Sequence, residues 1–155
     1  MRRRSLLLAG LATVATRARA HHGWSSFDQD RPLYLRGVAR KVAWRNPHVE
    51  FALELDPALG LPPDLARRPV PPQSANVDGP KLLAAAQLPT RKDRVWHVEL
   101  APLTRLEAWK VAEIKNGDRI EVLGYTTNGE KGEPVLRAEY LFVDGRAYGL
   151  RSSPA

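Results

Sequence analysis

The sequence predicts a mainly β domain: a small antiparallel barrel of five to six strands with one short helix between strands 3 and 4. Three observations carry that expectation. Residues 33–56 read LYLRGVARKVAWRNPHVEFALELD, a long hairpin whose second arm alternates apolar and polar residues. Three further β-rich runs come after residue 93. Between the first two of these runs lies one segment with apolar residues at every third position. A helix at that place in a five-stranded antiparallel set is the connectivity of the OB fold, a small Greek-key barrel. The domain is therefore expected to be OB-like, and closure would also dispose of exposed strand edges. The rival arrangement is an open meander with the helix packed on one face.

Residues 1–20, MRRRSLLLAGLATVATRARA, are expected to stand apart as a cleaved export signal. Arg2-Arg3-Arg4 is a positive start, Leu6 to Ala15 a short apolar run, and Ala18 and Ala20 the small residues before a cleavage point. The apolar run is about half the ~20 residues that span a bilayer. Arg3-Arg4-Ser5-Leu6-Leu7 also loosely fits a twin-arginine signal, so the export route stays open. Arg2, Arg3, Arg4, Arg17 and Arg19 supply five of the chain's seven net positive charges. The chain past residue 20 is only weakly basic and gives nucleic-acid binding little support. There is no cysteine, hence no disulfide and no thiolate ligand. At 155 residues, positions 21–155 make one domain, expected to be soluble in a periplasmic or secreted setting, without a transmembrane segment.

Taken in order, His21-His22-Gly23-Trp24-Ser25-Ser26-Phe27 is expected to form an extended arm that lies over the barrel and tucks Trp24 or Phe27 into it. The first hairpin runs Leu33–Ala43 and Val49–Leu55 around a break at Trp44-Arg45-Asn46-Pro47-His48, because proline fixes φ and turns Asn46 away from the helical region. Residues 57–93 carry eight prolines and form an insertion. Only Lys81–Gln87 suits a short helix, and the rest reads as irregular, mobile and solvated. Arg94–Leu100 is the third strand, with Trp96, Val98 and Leu100 on one face and Val95, His97 and Glu99 on the other. Leu103, Leu106, Trp109 and Ala112 then predict a helix of two to three turns, capped by Thr104 with Glu107 in capping-box spacing. Asp118–Thr126 and Val135–Val143 are the last two main strands, joined by a glycine-bearing loop, before a terminal run at Arg146–Leu150.

Several of these residues together resemble a known family. His21-His22-Gly23-Trp24, Trp44-Arg45-Asn46-Pro47-His48-Val49, Trp96 with Glu99, Trp109, and Asn116-Gly117-Asp118 are similar to a family of small exported bacterial proteins catalogued as a domain of unknown function. The resemblance covers most of the chain past the signal except Pro57–Asp93. It implies compartment and fold and supplies no mechanism. His97 lies outside its pattern.

The four histidines, His21, His22, His48 and His97, carry the candidate chemistry. Cleavage after Ala20 would expose His21, whose α-amine and Nδ1 can chelate a metal together. A further imidazole would make a nitrogen site of the tetragonal kind that copper favours. His48 is the candidate third nitrogen, with His22 as auxiliary ligand. The bland alternative is a hydrated His-His tail and a His48 that only bonds within its turn. His97 could ligate beside Glu99 by i, i+2 spacing, and Glu99 could orient an imidazole, though both also suit an ordinary strand surface. Asp28, Asp30, Glu50 and Glu54 offer carboxylates, but no spacing pairs two of them. No nucleophile motif, phosphate loop or HExxH is present, so no catalytic residue is assigned. The function expected is an exported binding module that takes copper, not an enzyme. The alternative is a metal-free adaptor that meets an envelope protein through the barrel face or the Pro-rich insertion.

Overall fold

The structure, a computed structural model, describes residues 23–155; the expected signal and His21 and His22 lie outside the described residues. Its elements are β1 (Leu33–Ala43), β2 (Glu50–Leu55), α1 (Gly79–Ala84), β3 (Val95–Glu99), α2 (Leu103–Ala108), β4 (Arg119–Tyr125), β5 (Val135–Val143) and β6 (Arg146–Gly149). The strands follow the order β3-β2-β1-β4-β5-β6, and a further β3–β5 pairing closes the first five into a barrel. β6 extends the C-terminal half of β5 as one extra strand. The small barrel expected from sequence is the fold observed, with one qualification. Its strands are antiparallel except at the seam, where β3 and β5 run parallel. An odd number of strands cannot alternate direction all the way round a ring, so one parallel pair is unavoidable.

Alternation fills the interior. Leu33, Leu35 and Ala39 of β1, Phe51 and Leu53 of β2, Trp96 and Val98 of β3, and Ile120 and Val122 of β4 form one buried cluster with Leu136, Ala138 and Leu141 of β5. Two glycines permit the tightest crossings. A Cβ at Gly37 would lie 2.0 Å from the Glu54 carbonyl oxygen, and one at Gly124 would lie 2.2 Å from that of Arg137. Neither distance is physically tolerable, so any side chain there would push neighbouring strands apart.

The helix between β3 and β4 is shorter than its apolar spacing predicts. Leu103–Ala108 is helical with Pro102, not Thr104, at the N-cap position, and the expected capping box does not form. Lys110, at φ 55°, takes the left-handed conformation that ends it. The residues beyond still serve the core, since Leu106, Val111 and Ile114 are all buried in the barrel cluster.

The insertion departs most from expectation. It is irregular, but it is packed rather than solvated. The outer face of β1, β4 and β5 carries Tyr34, Leu123, Tyr140 and Phe142, and Leu65 and Leu83 of the insertion cover them as a second buried cluster. α1 starts two residues before the expected segment, with the Asp78 carboxylate accepting from the Lys81 amide at 3.1 Å. Polar clamps hold the segment down. Arg68 pairs with Glu121 at 2.6 Å and lies over the Phe142 ring. The Tyr34 amide donates to the Gln87 carbonyl at 2.8 Å, and the Thr90 and Arg91 amides donate to the Glu130 carboxylate. Sequence alternation alone missed this, because it assigns one apolar face to each strand and these strands have two. Among the described residues, no helix is long and apolar enough to cross a membrane.

The packed insertion can be tested by truncation. Leu83→Ala is expected to destabilise the domain by about 2–5 kcal/mol in urea unfolding, as for other buried leucines; a solvated insertion would show almost no change. Glu130 gives a pH signature. Burial would raise its carboxyl, but the Thr90 and Arg91 amides and the Arg31 guanidinium outweigh that and hold it at about 2, below the ordinary 4.5. A depressed carboxyl stabilises the fold above its unfolded value and loses that contribution as pH falls through the folded one. Wild type should therefore exceed Glu130→Gln in stability at neutral pH. The gap should close between pH 4.5 and 2 in unfolding series.

Candidate functional site

The β2–β3 ladder pairs Glu50 with Glu99 and Ala52 with His97. The parallel seam then sets Arg137 beside Glu99. Since Phe51, Trp96, Val98 and Leu136 point into the barrel, their neighbours Glu50, His97, Glu99 and Arg137 share the outer face. There they form a polar cluster. His97 Nε2 lies 3.4 Å from Glu50 Oε2 and 3.9 Å from Glu99 Oε1. The other oxygen of Glu99, Oε2, lies 3.6 Å from Arg137 Nε. Glu99 and Arg137 are only 8% exposed, so Glu99 is no ordinary surface charge. Burial pulls the Arg137 guanidinium down from its ordinary value, and Glu99 opposes that shift.

His48 enters from the hairpin turn. The Asn46–Pro47 peptide is cis, and the Asn46 side-chain oxygen accepts from the Leu103 amide at 3.1 Å. That bond satisfies one of the orphan donors at the start of α2 and ties the turn to the helix. Val49 then exchanges backbone hydrogen bonds with Leu100 and Ala101, continuing β2 back to the turn. So held, His48 Nε2 meets Arg137 Nη2 at 3.1 Å. A guanidinium can only donate, so Nε2 accepts and the neutral ring carries its proton on Nδ1.

The described part of the N-terminal arm packs on the barrel beside this face, though Trp24–Ser26 make a short 3-10 turn rather than the extended run expected. Phe27 is buried against Tyr125 and Val135 and bridges to Thr127 of the β4–β5 loop. Trp24 packs edge-on against Tyr125 and sits beneath two guanidinium groups, Arg151 at 3.7 Å and Arg137 at 5.2 Å from its ring centre. Both aromatics are therefore used. The arm brings Gly23 to the wall of a cleft of about 340 Å³, whose other walls include His48, Pro102, Arg105 and Arg137.

Of the residues singled out in sequence, the fold brings His48, His97 and Glu99 to one face, linked through Arg137. His21 and His22 lie outside the described residues. Glu50 and Arg137 went unassigned as site residues. Glu50, singled out only among unpaired carboxylates, has its cross-strand partner in Glu99, a residue outside that set. The available signal was the register: Glu50 shares its face with His48 two residues earlier, and Glu99 shares its face with His97. Spacing alone does not reveal which residues meet across strands.

Fold and site together define a small closed β-barrel with an aromatic arm strapped over a His/Glu/Arg face. A family model described as a family of unknown function (DUF6152) matches residues 9–60, a stretch that takes in the arm, β1, the Asn46-Pro47-His48 turn and β2. The match agrees with the resemblance to an uncharacterised family read from the residues. No curated protein matches the chain, and no solved structure does.

Asn46→Ala tests the coupling of turn and helix. It should cost about 1 kcal/mol, typical for loss of a helix cap. The His48 ring resonances should also shift in NMR spectra, while those of His97 stay in place.

Proposed function

We propose that the protein is an exported, periplasmic binding module that takes copper at an N-terminal histidine created by processing after Ala20. The observation that supports this reading is the course of the arm. Trp24 and Phe27 anchor it, and Gly23 lines the same cleft as His48. His21 and His22 immediately precede Gly23, and two residues reach at most about 7 Å. The His21 amine and Nδ1 would chelate the ion, His48 would add an imidazole, and His22 would assist. Nitrogen donors of this kind suit Cu²⁺. To ligate through Nε2, His48 must release Arg137, whose guanidinium can still lean on Glu99. The role proposed is binding rather than catalysis.

The test is Cu²⁺ titration with EPR on protein beginning at His21, beside the same protein with one extra residue ahead of it. A tight type-2 copper signal is expected only in the first form, and His48→Ala should weaken it. Equal binding by both forms would rule out the amine as a ligand. The envelope-adaptor reading would then be pursued through partner capture on the barrel face.

A further inference from the structure

We propose that Glu50, His97 and Glu99 form a second cation site, built for zinc, on the outer face of β2 and β3. It does not depend on the copper reading, since every ligand comes from the barrel itself. One ligand atom from each residue lies within 4.8 Å of the others. Zinc bonds nitrogen and carboxylate oxygen at about 2.0–2.2 Å, so neighbouring ligands of a tetrahedral ion stand about 3.4 Å apart. His97 Nε2 lies 3.4 Å from Glu50 Oε2 and 3.9 Å from Glu99 Oε1, already close to that edge length. Small side-chain rotations suffice to close the set.

Electrostatics points the same way. Glu50 and Glu99 are direct cross-strand partners, and like charges so placed are destabilising. Glu99 is also buried, which makes its charge expensive to leave without compensation. A dication held between the two carboxylates would turn their mutual repulsion into shared attraction. The two oxygens of Glu99 divide the work: Oε1 faces His97, while Oε2 faces Arg137 Nε at 3.6 Å. A carboxylate whose far oxygen faces a guanidinium presents the near one to a metal, the kind of bias an outer partner supplies.

The donor set names the metal class. One imidazole and two carboxylates, without thiolate, suit a borderline dication. Calcium and magnesium prefer shells of oxygen alone. Glu50 and His97 remain 21% and 22% exposed, which leaves a route for the ion and a fourth position for water.

The experiment uses the full chain, whose free amine is at Met1, so an amine site at His21 cannot form and contributes nothing. Zn²⁺ is titrated by calorimetry, and Co²⁺ serves as an optical probe of geometry. One equivalent of Zn²⁺ should bind, with an intense tetrahedral Co²⁺ spectrum. Glu50→Gln and His97→Ala should each weaken Zn²⁺ binding by at least about a hundredfold, since loss of a direct ligand should cost no less than loss of an outer partner. Glu54→Gln, an exposed carboxylate further along β2, should leave it unchanged. Circular dichroism confirms that each variant is folded. Absence of binding, a weak octahedral Co²⁺ spectrum, or equal affinity in Glu50→Gln and His97→Ala to that of the wild type would each overturn the site.

Discussion

The parallel pairing of β3 with β5 is short, running from His97 opposite Val135 to Glu99 opposite Arg137, yet the polar face depends on it. Without that seam the five strands would be an open sheet with β3 at one edge. Glu99 would then lack the arginine that shares its burial. Closure places a cation from the fifth strand beside an anion from the third, at a point where both are nearly sealed from water. A buried pair of this kind seldom adds much stability by itself, because desolvation consumes most of the Coulomb gain. Its effect is on geometry. The paired groups fix which way Glu99 and Arg137 point, and so which way His48 and His97 are met.

The rest of the molecule serves as cover for the two outer faces that closure creates. One face, on β1, β4 and β5, is apolar, and the insertion lies over it through Leu65 and Leu83. Full burial of one such side chain stabilises by roughly 1.5–3 kcal/mol, enough to hold a proline-rich segment that has little regular structure of its own. The other face, on β2, β3 and β5, is polar, and Trp24 and Phe27 of the arm pack beside Arg137 on it. Trp24 and Phe27 suit that role because their rings accept guanidinium groups on one side and apolar contacts on the other.

Much of this was legible in sequence. The bounds of β1, the inward faces of β2 and β3, the turn at Asn46-Pro47 and the order of strands and helix all derive from periodicity and turn chemistry. Those are local properties. Three features were not legible, each for a non-local reason. The parallel seam results from counting strands around a ring, which no single strand records. The packed insertion depends on β4 and β5 being apolar on both faces, where alternation gives no signal. The Glu50–Glu99 pair depends on register, and a shift of one residue would send both carboxylates into the core. His48 was legible as a site residue because its turn is local; Arg137 was not, because its partners come from β2, β3 and the arm.

Arg137 is where the two proposed sites meet. It donates to His48 from Nη2 and approaches Glu99 from Nε, so a single guanidinium restrains one candidate ligand of each. Withdrawing His48 toward a metal would leave the guanidinium its contacts with Glu99 and with the Trp24 and Phe27 rings. Drawing Glu99 toward a second cation would instead bring two positive charges near one carboxylate. The first change concentrates Arg137 on Glu99, and the second loads Glu99 with competing cations. Occupancy of the two proposed sites would therefore be coupled through one side chain, with a sign set by whether Glu99 holds the ion and the guanidinium on separate oxygens. The observed split, Oε1 toward His97 and Oε2 toward Arg137, is the arrangement that lets both stay.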